Sequence, residues 1–227
     1  METSAGIIKE LKENVGFNQP VDFMHLCKGV PVVIKGQIQE IREESILFTV
    51  EPPDSICLAW DAQTTILQDV FMSGILARVV HFDPVEGTVE LDQFVFADRG
   101  FGDRAIVRVE PEAPIAAELI LEKTSLFCSV VDISLSGFGL LAESAPDGVF
   151  SKGQAGSLKL NLAGRAIEIT GNLVGVFPQE GGTIRLAMSF TPDTPGQATV
   201  SRYITRRRAE IRDGIAQAYQ EATQNRA

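Results

Sequence analysis

The chain has 227 residues, of which 44% are hydrophobic and 22% are charged; this is ordinary globular composition and excludes disorder over most of its length. At roughly 100–200 residues per domain, the length fits one large domain or two small ones. With 20 basic and 30 acidic residues, the net charge of −10 argues against binding to DNA, which depends on Lys and Arg that neutralise phosphates.

The first residues predict a short helical segment over positions 1–19. Thr3 or Ser4 can cap its N-terminus, and Asn18-Gln19-Pro20 ends it. The segment lacks a basic start and an apolar core of about 7–15 residues, so it is not a secretory signal. No stretch of the chain approaches the ~18 apolar residues that cross a bilayer. We therefore expect a cytoplasmic protein without membrane insertion. The apolar residues at helical spacing are Ile7, Ile8, Leu11 and Val15.

A small β-domain is predicted over residues 20–97, because the hydrophobic pattern becomes alternating and is interrupted by turn residues such as Asp83-Pro84-Val85-Glu86-Gly87. The following segment, 98–108, is interpreted as a linker, since ADRGFGDR at its start is rich in glycine and charge. The alternating apolar residues of the β-domain are Val30, Val32, Ile34, Ile46, Phe48, Val50, Val79–Phe82, Val89 and Leu91.

A second β-domain is predicted over residues 109–198, and a C-terminal helix over 199–227. Several short strands at close spacing favour a barrel or a sandwich over an α/β fold. The helix carries one apolar stripe, and its arginines form either a solvated face or a surface for an acidic partner. The strand candidates are Glu118–Leu121, Leu126–Ile133, Gly137–Ala142, Ser157–Leu162, Ile167–Phe177 and Thr183–Phe190. The arginines are Arg202, Arg206, Arg207, Arg208 and Arg212.

The sequence offers no catalytic or metal-binding motif. It has no GxSxG, no GxxxxGK and no His beside a candidate nucleophile. His25 and His81 have no partner at ligand spacing, and the three cysteines are far apart and lack a CxxC pair. We therefore predict no metal, no cofactor and no enzymatic activity. The cysteines Cys27, Cys57 and Cys128 are interpreted as buried thiols.

Two short motifs suit a guanine nucleotide. Arg104-Ala-Ile-Val-Arg108 is an RxxxR, and two arginines supply donors for phosphate and for the O6/N7 edge of guanine. Asp132-Ile-Ser134-Leu-Ser-Gly137 is a DxSxxG that follows a predicted strand. Asp132 and Ser134 face the same side of an extended chain, where a carboxylate can accept from guanine N–H groups. Gly137 allows a positive φ or a close backbone approach.

Together, the order, spacing and β-strand context of these motifs resemble the PilZ family, in which RxxxR precedes (D/N)xSxxG on a six-stranded β-barrel. The resemblance covers about residues 100–210. It implies that Arg104 and Arg108 hold the phosphates and guanines of cyclic di-GMP, and that Asp132, Ser134 and Gly137 surround one guanine. Arg99 and Ser136 are additional candidates, and Ala187 stands where the family has a glycine in a late strand.

The first β-domain resembles, more loosely, the N-terminal domain of the YcgR-like flagellar brake subgroup. The expected fold is therefore mainly β, with two small β-barrels and a C-terminal α-helix. The resemblance implies a cyclic di-GMP receptor that changes its domain arrangement on binding and regulates a partner protein, the flagellar motor or another effector target, in motility or biofilm control. The alternative is a ligand-independent PilZ-like interaction or scaffold module, and self-association stays open.

Overall fold

A computed structural model describes residues 3–17, 19–71, 73–97, 107–122, 124–143, 150–190 and 195–224, without the side chain of Glu180. The chain divides into two compact units. The first unit comprises Met1–Ala105 together with Ile211–Ala227, and the second comprises Ile106–Glu210. The first unit is thus discontinuous in sequence, and the second is inserted into it.

The first unit contains a closed antiparallel barrel of six strands in the order β1-β2-β3-β6-β5-β4. Burial alternates along β2, where every second residue from Val30 to Ile38 is buried. The rings of Phe23 and Phe48 meet edge to face inside the barrel, with their centroids 5.1 Å apart. The strands are β1 (Pro20–Cys27), β2 (Val30–Ile41), β3 (Ser45–Val50), β4 (Gln63–Leu67), β5 (Ile75–Asp83) and β6 (Thr88–Phe96).

A short helix, α1 (Ser4–Asn14), precedes this barrel, as the sequence predicts. Of the two candidate caps, Thr3 is the one used: its hydroxyl accepts a hydrogen bond from the backbone N–H of Gly6 at 3.3 Å. The hydroxyl of Ser4 instead accepts from the backbone N–H of Phe94 at 3.1 Å, which attaches the helix to β6. Ile7 and Leu11 are completely buried, so the apolar stripe of α1 forms part of the core.

Strands β1 and β4 were not recognised as individual strands in the sequence. The inward positions of β1 include His25, which is 2% exposed and interrupts an otherwise apolar alternation. In β4, Thr64 and Thr65 are both buried although both are polar. A polar residue on the core face conceals the period-2 pattern, because burial at these positions is imposed by the closed barrel rather than by the side chain.

The second unit contains the other closed barrel. Six antiparallel strands follow one another in the order β8-β9-β10-β13-β12-β11, with β11 returning to β8. A two-residue strand, β7, pairs with the last residues of β9. All six strand candidates of this region form strands, and the predicted fold class is confirmed. The strands are β7 (Arg108–Val109), β8 (Ile115–Leu121), β9 (Thr124–Ser134), β10 (Gly137–Ala142), β11 (Ala155–Leu162), β12 (Arg165–Pro178) and β13 (Ile184–Phe190).

The C-terminal helix α2 (Gln197–Gln224) is shared between the two units. Its residues up to Glu210 belong to the second unit and those from Ile211 onward to the first. Within the first unit, the Tyr219 hydroxyl donates to the carbonyl oxygen of Pro84 at 3.4 Å. Neither α1 nor α2, the helices of the described ranges, has the length and apolar character that a bilayer crossing requires. The buried stripe of α2 is Val200, Ile204, Ile211 and Ile215.

Candidate ligand-binding site

A β-bulge in β9 places Asp132, the first residue of DxSxxG, on the outer face of the barrel. Val130 pairs with Leu140 and Asp132 with Gly139, so Val131 has no partner in β10. The extra residue reverses the alternation. Val130 lies in the core before the bulge, and Ile133, an odd number of positions later, lies in the core after it. Asp132 therefore takes the opposite, outer side of the strand.

Two guanidinium groups contact the Asp132 carboxylate on that outer side. Arg185 of β13 donates from Nη2 to Oδ2 at 2.5 Å, and Arg108 of β7 donates from Nη1 to Oδ1 at 3.5 Å. The carboxylate side chain is 9% exposed, whereas the side chains of Arg108 and Arg185 are 40% and 47% exposed. A nearly buried anion is thus held between two cations that still reach solvent, which offsets the cost of burying it.

Arg108 was predicted to lie in the linker, and this is corrected by the structure. It pairs with Ser134 as the first residue of β7, since β9 extends beyond β8 and leaves an edge on which the arriving chain can pair. Pairing with β9 therefore fixes the backbone position from which the Arg108 side chain extends. The other predicted arginines, Arg99 and Arg104, lie outside the described residues.

The remaining DxSxxG residues form the turn between β9 and β10. The Ser134 hydroxyl donates to the carbonyl oxygen of Gly137 at 3.1 Å and accepts from the backbone N–H of Ser136 at 3.3 Å. Gly137 does not have a positive φ. It is required for close approach instead, because a Cβ there would collide with the backbone oxygen of Met188.

A glycine also makes room for the Asp132 carboxylate. A Cβ on Gly139 would overlap the carboxylate oxygens, so β10 passes beneath Asp132 without a side chain in the way. Gly139 pairs with Ala187 of β13, and Arg185 is two positions from Ala187 on the same face of the sheet. Backbone geometry therefore brings Arg185 toward Asp132.

These residues surround a cavity of about 80 Å³. It brings together Arg108, Asp132 and Ser134 with the additional candidate Ser136 and with Gly137. The described cavity is smaller than a typical ligand pocket of about 300–1,000 Å³. The other lining residues are Phe138, Val174, Ala187, Met188 and Ser189.

Neither motif indicates that Val174, Ala187 and Ser189 line the cavity or that Arg185 is a partner of Asp132. Val174 reaches the cavity because it is left unpaired at a second bulge, between β12 and β13. Arg185 is 53 positions from Asp132, and no short motif connects them. The alternation of residues along Ile184–Phe190 indicates that Arg185 and Ala187 share a face of the strand. It does not indicate which side chain of the other strands Arg185 contacts.

A larger open groove of about 530 Å³ lies on a different part of the second barrel. It is lined by Phe127, which is 81% exposed, and by the acidic Glu118 and Glu168 beside Lys159. It contains none of the predicted site residues. Its two carboxylates disfavour an anionic ligand, whereas the smaller cavity is lined by the cationic Arg108.

One arginine of α2 positions the chain next to Arg108. Arg207 is 8% exposed, and its Nε donates to the carbonyl oxygen of Glu110 at 2.9 Å. Its Nη1 also donates to Glu210 at 3.1 Å. Arg207 is therefore not part of the exposed arginine face considered from the sequence, because burial and these bonds direct its side chain toward the barrel.

The described residues contain no group of three or more His, Cys, Asp or Glu side chains arranged to hold a metal ion. Cys27, Cys57 and Cys128 are buried, and none of them forms a disulfide within the described part of the chain. Burial raises the pKa of the Cys128 thiol to about 11, which makes the reactive thiolate scarce at neutral pH. None of these groups supplies an alternative reactive centre near Asp132.

The family model described as PilZ domain matches residues 103–206, and the match confirms the resemblance of this part of the chain. Among solved structures, the chain is similar to YcgR of Escherichia coli in complex with c-di-GMP, at 15% identity over 92% of this chain and 91% of that chain, with a TM-score of 0.41. It is similar to the MrkH–c-di-GMP complex of K. pneumonia, at 13% identity over 93% and 94%, with a TM-score of 0.46. It is also similar to the inhibitor of motility MotI (DgrA) of Bacillus subtilis, at 13% identity over 86% and 97%, with a TM-score of 0.41. A comparison of the chain with curated proteins found no match.

Proposed function

Because residues 103–206 form a PilZ domain, we propose that this protein is a receptor for cyclic di-GMP and that it is not an enzyme. The observation that carries the proposal is the juxtaposition of Arg108 and Asp132 in one cavity on the outer face of the second barrel. They come from different strands and present a cation and an anion side by side.

That pair complements a guanine nucleotide. The planar guanidinium of Arg108 can donate to a phosphate or to the O6 and N7 acceptors of guanine. The Asp132 carboxylate can accept from the guanine N–H groups, because a carboxylate offers about four lone-pair positions and the two arginine contacts leave some of them open. In this proposal, Ser134, Ser136 and Gly137 maintain the turn beneath the base, and Arg104 and Arg99 supply further donors to the phosphates.

We further propose that the bound ligand changes the arrangement of the two units and that the changed surface regulates a partner protein. Arg104 precedes the second barrel in the chain, in the connection that follows β6, whereas Arg108 in β7 and Asp132 in β9 belong to the second unit. A ligand that engages both sets must draw the connecting segment toward the barrel. Regulation of the flagellar motor or of another effector target, acting in the cytoplasm, is the proposed outcome.

Titration calorimetry with cyclic di-GMP tests the proposed function. We expect a dissociation constant between nanomolar and low micromolar, and a micromolar constant corresponds to about −8 kcal/mol. Arg108→Ala should weaken binding at least tenfold, because it removes a charge-assisted donor worth roughly 1.5–3 kcal/mol. Arg165→Ala is the matched control, since Arg165 is exposed on β12 and does not line the cavity.

Two outcomes would contradict the proposal. The first is folded wild-type protein that shows no detectable binding at about 100 µM ligand, a concentration at which a dissociation constant corresponds to about −5.5 kcal/mol. This result would leave the ligand-independent interaction module as the better account. Wild-type binding that Arg108→Ala and Arg165→Ala leave equally intact would show that the ligand binds at another site.

A further inference from the structure

Arg185 is the nearest cation to Asp132, yet it does not line the cavity. Its Nη2 contacts Oδ2 of the carboxylate, whereas Arg108 contacts the other oxygen, Oδ1, at 3.5 Å, the limit of a hydrogen bond. The carboxylate thus has one close partner outside the cavity and one distant partner that lines it. The two arginines are not equivalent.

We propose that Arg185 is a positioning residue of the ligand site: it fixes the Asp132 carboxylate so that the oxygen positions that remain open face the guanine edge. The inference rests on the proposed function and adds a specificity-determining residue that neither the RxxxR nor the DxSxxG motif contains. In this proposal Arg108 contacts the ligand, whereas Arg185 contacts Asp132 and holds its carboxylate in place.

The need for such a residue follows from the burial of Asp132. A carboxylate that is 9% exposed requires a paired charge, because removing one partner of a buried pair leaves an uncompensated charge. If Arg108 turns toward a phosphate when the ligand binds, its contact with Asp132, already at 3.5 Å, weakens further. Arg185 then remains as the counter-charge beside the carboxylate, whose oxygens can accept hydrogen bonds from the ligand.

The backbone limits where the carboxylate can go. On the side of β10, the missing Cβ of Gly139 gives the carboxylate room, and the neighbouring Ala187 is small. Arg185 contacts Oδ2 without lining the cavity, whereas Asp132 itself lines it. The carboxylate therefore has room on the side of β10 and one guanidinium partner that does not belong to the cavity lining. A hydrogen-bonding site of this kind discriminates strongly against a ligand that lacks the matching donor.

The test compares cyclic di-GMP with cyclic di-IMP, in which the guanine 2-amino group is absent, by calorimetry on the full chain. Wild-type protein should prefer cyclic di-GMP, since Asp132 accepts from both N–H groups of guanine but from only one of hypoxanthine. Arg185→Ala should weaken cyclic di-GMP binding at least fivefold and should bring the ratio of the two dissociation constants toward one. Arg185→Lys should retain part of the affinity that Arg185→Ala loses, because lysine keeps the positive charge but lacks the planar two-donor geometry of the guanidinium.

Arg165→Ala again provides the control for loss of an exposed arginine on the same barrel, and melting curves establish that each variant is folded. If Arg185→Ala does not fold, Arg185→Gln and Arg185→Lys carry the comparison.

Equal weakening of both ligands with an unchanged ratio would overturn the inference, because it is the result expected if Arg185 contacts a phosphate directly. So would unchanged binding of both ligands. Wild-type protein that binds neither ligand would overturn the proposed function, and this inference with it, whereas wild-type binding with an insensitive Arg185 overturns the inference alone.

Discussion

At the scale of single residues, His25 stands out because it is buried in the first barrel with its Nδ1 unpaired among the described residues. Burial lowers the pKa of His25 below its ordinary value of about 6.5, and the nearby Asp61 opposes this only partly. His25 is therefore protonated less readily in the folded protein than in the unfolded chain. Thr64, which lies on the neighbouring strand β4, also has an unpaired buried hydroxyl.

The pKa of His25 predicts that the first unit loses stability as pH falls below about 6.5. In the window between the lowered folded pKa and the unfolded pKa, the unfolded state binds more protons, so the free energy of unfolding decreases with decreasing pH by up to about 1.4 kcal/mol per pH unit. Denaturant titrations between about pH 5.5 and 7.5 avoid most carboxylate titration. His25→Leu should flatten the pH dependence in this window.

His81→Gln is the control, since His81 is exposed on β5 and its loss should leave the slope unchanged. A slope that survives in His25→Leu would assign the effect to another group.

At the scale of elements, alternation predicted the strands whose core positions are apolar, and it could not predict the bulges. From Leu126 to Ile133 the sequence reads as one uninterrupted strand, although Val131 is left without a β10 partner. An unbroken alternation would have kept Asp132 and Val130 on one face. The place where the extra residue is accommodated depends on the pairing of β9 with β8 on one edge and with β10 on the other.

The candidate site was predictable to the extent that its residues lie in local motifs. Arg108, Asp132 and Ser134 were named from RxxxR and DxSxxG, and the cavity contains all three. Arg185 and Val174 were not named, because they reach the site through cross-strand register and a second bulge. Register is set by many contacts along β12 and β13 rather than by the residues that it positions.

Helix α2 should affect the site through Arg207. Arg207→Ala removes the hydrogen bond from Nε to the Glu110 carbonyl oxygen, two residues after Arg108, and leaves that oxygen without its charged donor. Hydrogen bonds to charged groups contribute roughly 1.5–3 kcal/mol. We expect a lower melting temperature and several-fold weaker cyclic di-GMP binding, measured by calorimetry on the same samples.

The matched variant is Arg208→Ala, because Arg208 is the next residue on the helix and is exposed. It should change neither quantity appreciably. Indistinguishable melting and binding in the two variants would mean that the Arg207 contact is not coupled to the ligand site.

At the scale of the whole molecule, ligand binding should alter the solution scattering profile. A ligand shifts a conformational equilibrium only by its differential affinity for the two arrangements, and a tenfold preference corresponds to about 1.4 kcal/mol. Small-angle scattering of the full chain with saturating cyclic di-GMP should differ from that of the free chain, and Arg108→Ala should reduce the difference at the same ligand concentration. Superimposable profiles at saturation, with binding verified by calorimetry, would contradict the proposed rearrangement and would mean that the ligand binds without changing the arrangement of the two units.

The discontinuity of the first unit has a consequence for synthesis on the ribosome. Its barrel strands, β1 to β6, emerge before the second unit, but Ile211 and Ile215, both buried, emerge after it. The inserted barrel can therefore complete its fold while its host still lacks a piece of its core. A nascent chain or a proteolytic fragment that ends near Glu210 would retain the whole second unit and expose an apolar surface on the first. Such an exposed apolar surface would make the incomplete first unit a substrate for quality-control proteases.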